Sequence, residues 1–149
     1  MKTSIVVSSF TVCALLAGCA QFTMDIMSRS EGKIYHGMIQ KTGEGQGTAN
    51  MNIAGVEYTG RFARTSSEQY TSFVSAYARN NQGGAAGAVG SGTTFGSNMT
   101  FLGILSSPQG DGMRCALQGD RTSGTGGGIC VDNKNNIFDV IYHLSGGLF

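Results

Sequence analysis

The sequence predicts a mainly β protein: an antiparallel small barrel or sandwich of about seven or eight short strands. The composition supports this, because the chain has 24 Gly, one Pro and no Trp in 149 residues. High Gly with many Thr, Ser, Val and Tyr favours strands and tight turns over helices. Residues 48–53 and 56–63 also alternate between apolar and polar side chains, the period of a strand with one buried face. Ala54-Gly55 fits a two-residue turn, so this pair of segments predicts a β-hairpin.

Other segments of the chain carry weaker strand signals between glycine-rich turns. Residues 98–106 are apolar on both faces, which predicts a central position in the sheet. In chain order, we predict strands at 33–41, 48–53, 56–63, 98–106, 113–119, 128–132 and 137–144. We predict turns or loops at 42–47, 107–112, 120–127 and 133–136.

Residues 65–79 support two interpretations. Thr65-x-x-Glu68 fits a capping box, and the apolar residues that follow have helical spacing. The same residues are largely β-branched or aromatic, which favours a strand. We favour the strand and keep the helix as the alternative. The apolar residues concerned are Tyr70, Phe73, Val74 and Tyr77.

Residues 80–96 form the stretch of lowest complexity. Glycines recur there every three residues, at Gly84, Gly87 and Gly90. A glycine-zipper membrane helix would repeat small residues every four and needs about 20 apolar residues. A long flexible loop is therefore favoured, and a membrane-inserting segment is the alternative.

The first 18 residues have the pattern of a secretory signal peptide. Lys2 supplies a positive charge, and Ile5–Leu16 is an apolar run of 12 residues. A membrane-spanning helix needs about 20 residues, so this run is the hydrophobic region of a cleaved signal rather than a span.

The signal region ends in Leu16-Ala17-Gly18-Cys19, which resembles the lipobox of bacterial lipoproteins. The resemblance implies cleavage before Cys19, a diacylglyceryl group on its sulfur and a third acyl chain on its amine; two or more chains anchor a protein stably. Ala20, rather than Asp, implies the outer membrane by the family's sorting rule, and we expect the protein on its periplasmic face. An ordinary secretory signal with a free Cys19 is the alternative. We predict a lipidated tether at 19–32 and a single β domain at 33–149.

The mature chain carries no formal net charge, because nine Lys and Arg residues remain beside nine Asp and Glu once Lys2 is removed. A neutral chain argues against nucleic acid and against anionic lipid as the main partner. The expected partner is the membrane, through the acyl chains, with envelope proteins as further candidates.

The four cysteines separate by their place in the chain. Cys13 leaves with the signal peptide and Cys19 is predicted to be lipidated. Cys115 and Cys130 remain in an oxidising compartment, which predicts a disulfide bond between them. Two free buried thiols are the alternative. The absence of a CxxC motif and the two distant histidines argue against a zinc site.

The pattern Cys115…Gly126-x-Gly128-x-Cys130…Phe138-Asp139-Val140 resembles small, uncharacterised Gram-negative lipoproteins. In these proteins a late cysteine pair is followed by a turn and a closing strand. The resemblance covers the last 35 residues, counted from Cys115, and it implies no activity.

The sequence contains no pattern typical of a catalytic or cofactor site. His36 and His143 fall in predicted strands with no nucleophile motif beside them, so we expect both to face solvent. Residues 132–136 are rich in oxygen ligands, but Lys134 stands where a calcium ligand is needed, so we predict a turn. We therefore expect no cofactor or metal and a non-enzymatic structural or binding role. A periplasmic hydrolase with an unrecognised site and a membrane-inserting assembly subunit are the alternatives.

Overall fold

The structure, a computed structural model, describes residues 20–66, 69 and 98–145. The predicted signal peptide, Cys19, nearly all of 65–79 and the glycine-rich stretch 80–96 lie outside the described residues. The described residues form eight strands: β1 Gln21–Ser28, β2 Ile34–Gly43, β3 Gln46–Ile53, β4 Val56–Thr65, β5 Asn98–Ser106, β6 Gly112–Asp120, β7 Thr125–Asp132 and β8 Ile137–Ser145.

The eight strands close into one antiparallel barrel with up-and-down topology. Each strand pairs with its neighbours in the chain, and β8 pairs with β1 from Gln21 opposite Ser145 to Ser28 opposite Phe138. Closure removes both open edges of the sheet. The predicted mainly β class and number of strands are confirmed, and the barrel replaces the sandwich.

The predicted hairpin is formed by β3 and β4. Met51 and Tyr58 face each other in the barrel interior, while Asn50 and Glu57 are exposed on the outer face. Ala54 and Gly55 form the connecting turn with φ values of 53° and 84°. Two successive positive φ values are the geometry whose twist matches that of a tight antiparallel hairpin.

The first strand corrects the predicted tether at 19–32. Residues 21–28 are β1, so the barrel begins well before the expected boundary at 33. Met24 and Ile26 are buried inside, and Asp25 between them is exposed. The sequence of β1 does not show a clear apolar–polar alternation. Met27, which faces outward, follows Ile26 directly, and the small polar Ser28 takes the next interior position.

Strand β7 corrects the predicted glycine-rich loop at 120–127. The strand begins at Thr125, so Gly126 and Gly127 belong to the sheet, together with Gly128, rather than to the loop. A Cβ atom at Gly128 would overlap the backbone carbonyl oxygen of Ala116 on β6. Glycine is therefore required here by a close approach of two backbones, and its abundance was mistaken for a signal of flexibility.

The core lies inside the barrel, and polar side chains cover much of its outer face. Met24, Met51 and Leu105 are at most 1% exposed. A second apolar cluster lies on the outer face of the sheet, where Ala116 and Val131 are buried. Polar side chains cover most of the outer face of β3 and β4, whereas Ile104 on β5 and Ile141 on β8 are large apolar residues exposed on the outer face.

Candidate functional site

Among the described residues, the barrel interior is unfilled at one end, which we call the mouth. It is the end at which β1 begins, β4 ends and β8 ends, and it contains a cavity of about 330 Å³. Barrels of eight strands are just wide enough either to be filled by side chains or to hold one small ligand. Here buried side chains fill the interior away from the mouth, whereas the mouth contains the cavity, so the mouth is the candidate site.

The wall of the mouth is mainly apolar and aromatic. It is built by interior-facing residues, because alternate residues of each strand point inward, and Phe62, Leu117 and Tyr142 of this wall also belong to the buried core. Phe22 and Tyr142 meet edge to face, with ring centroids 5.9 Å apart and planes at 84°. The apolar and aromatic wall residues are Phe22, Ile39, Phe62, Met99, Phe101, Leu117 and Tyr142.

Glycines on neighbouring strands make room for these rings. A Cβ atom at Gly103 would overlap the ring of Phe62, and one at Gly126 would overlap the hydroxyl end of Tyr142. Each ring thus lies across a glycine on an adjacent strand, an arrangement that also lets the sheet curve. The position of the aromatic wall therefore depends on the glycines as much as on the rings.

Three cationic side chains line the rim of the mouth: Lys41 on β2, Arg64 on β4 and Arg121 after β6. Lys41 pairs with Gly47 and Arg64 pairs with Phe101, so both continue the interior-facing rows of their strands. All three are exposed. The rim thus adds positive charge directly above an apolar wall.

The backbone fixes the positions of two of these cations. The Arg64 N–H donates to the carbonyl oxygen of Gly45 at 2.7 Å, and the Lys41 N–H donates to that of Ala20 at 3.0 Å. Within the described ranges, no salt bridge joins Lys41, Arg64 or Arg121 to an acidic side chain.

Two acidic residues also lie at the rim. The Oδ1 atom of Asp120 accepts a hydrogen bond from the Thr122 N–H at 2.6 Å. Glu44 is exposed in the β2–β3 turn. The local charge of the rim is therefore mixed, but its unpaired interior-facing positions are cationic.

At the opposite end of the barrel, the carboxylate of Asp132 is buried and holds the turn between β7 and β8. Its Oδ1 accepts hydrogen bonds from the N–H groups of Lys134 and Asn136, both at 2.8 Å. Its Oδ2 accepts one from Nδ2 of Asn136 at 2.7 Å. The predicted turn at 133–136 is thus present, and Asp132 organises it through backbone donors. Burial raises the pKa of the neighbouring Tyr58 phenol, and the charges of Asp111 and Asp132 raise it further.

Cys115 and Cys130 are direct partners on β6 and β7, and both are fully buried inside the barrel. Their sulfur atoms lie at bonding distance, 1.93 Å, in agreement with the predicted disulfide. The bond lies in the filled part of the interior, below Leu117 of the mouth. It therefore ties β6, which carries Leu117 of the wall, to its neighbour β7.

The two histidines lie on the outer face of the barrel and are exposed, as expected. Nδ1 of His36 lies 2.9 Å from Oδ1 of Asp25, and Nε2 of His143 lies 2.7 Å from Oγ1 of Thr23. The two pairs line the same pocket on the outer face, but each histidine hydrogen-bonds within its own pair, and the described residues place no carboxylate against His143 to orient it as a catalytic base. The arrangement does not assemble a nucleophile, a base and an orienting acid.

The described part of the chain contains no group of three or more His, Cys, Asp or Glu side chains arranged to hold a metal ion. Nor does any helix among the described residues have the length and apolarity needed to cross a bilayer. The predicted lipidation site, Cys19, lies outside the described residues, directly before Ala20.

Comparisons of the chain with protein-family models, with curated proteins and with solved structures found no match. The site is therefore interpreted from its own geometry.

The sequence did not predict the mouth. Lys41, Arg64 and Arg121 stand in different turn or strand-end regions, where isolated charges are usual. A signal was nevertheless present in β2 and β4, because Ile39 precedes Lys41 by two residues and Phe62 precedes Arg64 by two. An interior-facing row that ends in a cation indicates a charged rim, but only when the barrel closes.

Proposed function

We propose that this protein is a lipid-anchored lipoprotein of the outer membrane with a non-enzymatic binding role, and that its barrel takes up one small apolar or amphipathic molecule at the mouth. The observation that supports a binding role is the apolar cavity of about 330 Å³ at the open end. Cavities of about 300–1,000 Å³ with apolar walls and a few polar groups are typical of small-molecule sites.

The position of the anchor supports a membrane-facing orientation. Ala20 lies at the mouth, where its carbonyl oxygen accepts a hydrogen bond from the Lys41 N–H. Since Cys19 directly precedes Ala20, acyl chains on Cys19 would hold the mouth close to the bilayer surface. A tether through residue 32 would have left the orientation free, so β1 makes this part of the proposal specific.

Binding is favoured over the two alternative functions. A hydrolase needs an oriented base beside a nucleophile, and the exposed Thr23–His143 pair lacks the orienting group among the described residues. The assembly role depended on residues 80–96, which lie outside the described residues. The mouth, by contrast, combines a cavity with an apolar wall.

The test is binding of N-phenylnaphthylamine, an uncharged dye that fluoresces in apolar sites, to the mature chain from position 19. This protein carries Cys19→Ser and is exported behind a non-lipoprotein signal, so no acyl chain competes for the site. We expect saturable binding that Met99→Trp reduces, because Met99 is half-buried in the wall of the mouth.

Met38→Trp is the matched control, since Met38 lies in a strand but is 47% exposed on the outer face. It should leave dye binding unchanged, and a far-UV spectrum checks the fold of both variants. Absence of saturable binding, or equal losses in the two variants, would contradict the proposal.

A further inference from the structure

The charges at the mouth allow the class of ligand to be narrowed, and this step rests on the proposed binding function. We infer that the mouth binds a single-chain amphiphile with an anionic head, such as a carboxylate or a phosphate. The chain enters the aromatic cavity, and the head is held at the rim by Lys41 and Arg64, with Arg121 beside them.

The orientation of the ligand follows from the difference between the apolar inner end of the cavity and its charged rim. Its floor is closed by the filled lower barrel, where Met51 and Leu105 are at most 1% exposed. Its upper border carries exposed Lys41 and Arg64. An apolar ligand end therefore loses water inside, while a polar end stays at the surface. A molecule with one apolar chain and one charged head matches both conditions.

The charge of the head follows from the pairing of the rim side chains. Lys41 and Arg64 occupy interior-facing positions opposite Gly47 and Phe101, whose side chains offer no charge. Within the residues described, neither cation has an ion-pair partner. Asp120 instead accepts hydrogen bonds from the backbone of its own turn. An anion at the rim would thus receive charge-assisted hydrogen bonds without displacing an existing pair.

The size of the cavity favours one chain rather than two. A volume of about 330 Å³ lies at the lower end of the range for small-molecule sites, about 300–1,000 Å³. The rings of Phe22 and Tyr142, on the neighbouring strands β1 and β8, take up part of the interior on one side of the wall. A short acyl chain fits this space, and a two-chain phospholipid does not.

The experiment compares three probes with the same chain: octanoate, octyl phosphate and octanol. Calorimetric titration of the mature Cys19→Ser protein should show tighter binding of at least one anion than of octanol. Arg64→Gln should weaken binding of that anion about fivefold and leave octanol unchanged, since solvent-exposed charge pairs contribute modestly. The double variant Lys41→Gln with Arg64→Gln should weaken it further.

Arg61→Gln is the matched control, because Arg61 is an exposed arginine on the outer face of the same strand, β4. It should not alter binding of any probe, and added salt should weaken the anions but not octanol. If octanol binds as tightly as both anions, or if Arg61→Gln acts like Arg64→Gln, this inference is wrong while the binding function stands. If neither octanol nor the dye binds, the proposed function itself fails. Preference for octanoate or for octyl phosphate identifies the head.

Discussion

At the scale of single residues, Tyr58, which lies towards the end opposite the mouth, should make the stability of the barrel depend on pH. Its side chain is 5% exposed. Burial is the largest cause of its raised pKa, the charges of Asp111 and Asp132 add to it, and Lys134 opposes it. The phenol is therefore held neutral beyond the pH at which an exposed tyrosine ionises.

Tyr58→Phe should reduce the loss of stability at high pH. Below the ordinary pKa of 10.0, the phenol is protonated in both folded and unfolded chains. Above it the unfolded chain releases the proton first, so the free energy of unfolding falls as pH rises towards the folded-state pKa. Urea unfolding of wild type and variant near pH 9 and near pH 11 measures this difference. An identical alkaline loss in the two proteins would show that Tyr58 does not contribute.

The cysteine pair gives a second prediction at this scale. A bond that closes a loop of this length contributes about 3 kcal/mol by chain entropy, a large share of the roughly 5–15 kcal/mol typical of a domain. Cys115→Ala and Cys130→Ala should destabilise by similar amounts, and the double variant by little more, because either substitution removes the same bond.

Chemical denaturation of the three cysteine variants tests this, and peptide mapping without reductant detects the bond directly. Fully additive losses would indicate two independently packed thiols. The pairing could be predicted from sequence because the expected signal peptide and lipidation site left two cysteines, Cys115 and Cys130. The cationic rim could not, because Lys41, Arg64 and Arg121 become neighbours only through the closed sheet.

At the scale of elements, β1 is needed to close the barrel, although its sequence predicted a tether. It pairs with β2 along one side and with β8 along the other. It also supplies Met24 and Ile26 to the core. Removing it opens the barrel and exposes two edges.

A chain that begins at Gly32 should therefore fail to fold into a stable monomer, whereas one that begins at Ala20 should fold. The shorter chain lacks β1, so β2 and β8 each lose a partner strand. Urea unfolding followed by circular dichroism, with size-exclusion chromatography, compares the two. Cooperative unfolding of a monomeric 32–149 chain would show that β1 is dispensable.

Strands were predictable from sequence where large apolar residues occupied successive interior positions, as in β3 and β4. They were less predictable where small residues took those positions. Ser28 ends the interior row of β1, and Gly126 and Gly128 begin that of β7. At Gly126 the interior space is taken by the side chain of Tyr142 from β8. Local sequence cannot reveal that compensation.

At the scale of the whole molecule, the remaining prediction concerns the anchor. Cys19→Ser should abolish acylation and leave the precursor uncleaved by the lipoprotein peptidase, because the thiol is the acceptor of the lipid. Intact-mass measurement of protein from membranes provides the test. Wild-type protein that begins at Cys19 without acyl mass would exclude the anchor.

The choice between barrel and sandwich also belongs to this scale. Alternation showed that one face of each strand is buried, and both architectures satisfy that condition. The deciding contact is the pairing of β1 with β8, which joins distant parts of the chain. No local pattern encodes it, and β1 itself had been assigned to a tether.

That same closing contact sets the order in which the protein can fold. The Ser145 hydroxyl donates to the carbonyl oxygen of Gln21 across 124 residues of sequence. The strand that is made first must wait for the last one before the sheet can close. Closing so large a loop costs entropy before any contact repays it, and such topologies fold slowly. We expect the newly made chain to spend this interval as an open sheet, whose two unpaired edges can pair with another copy.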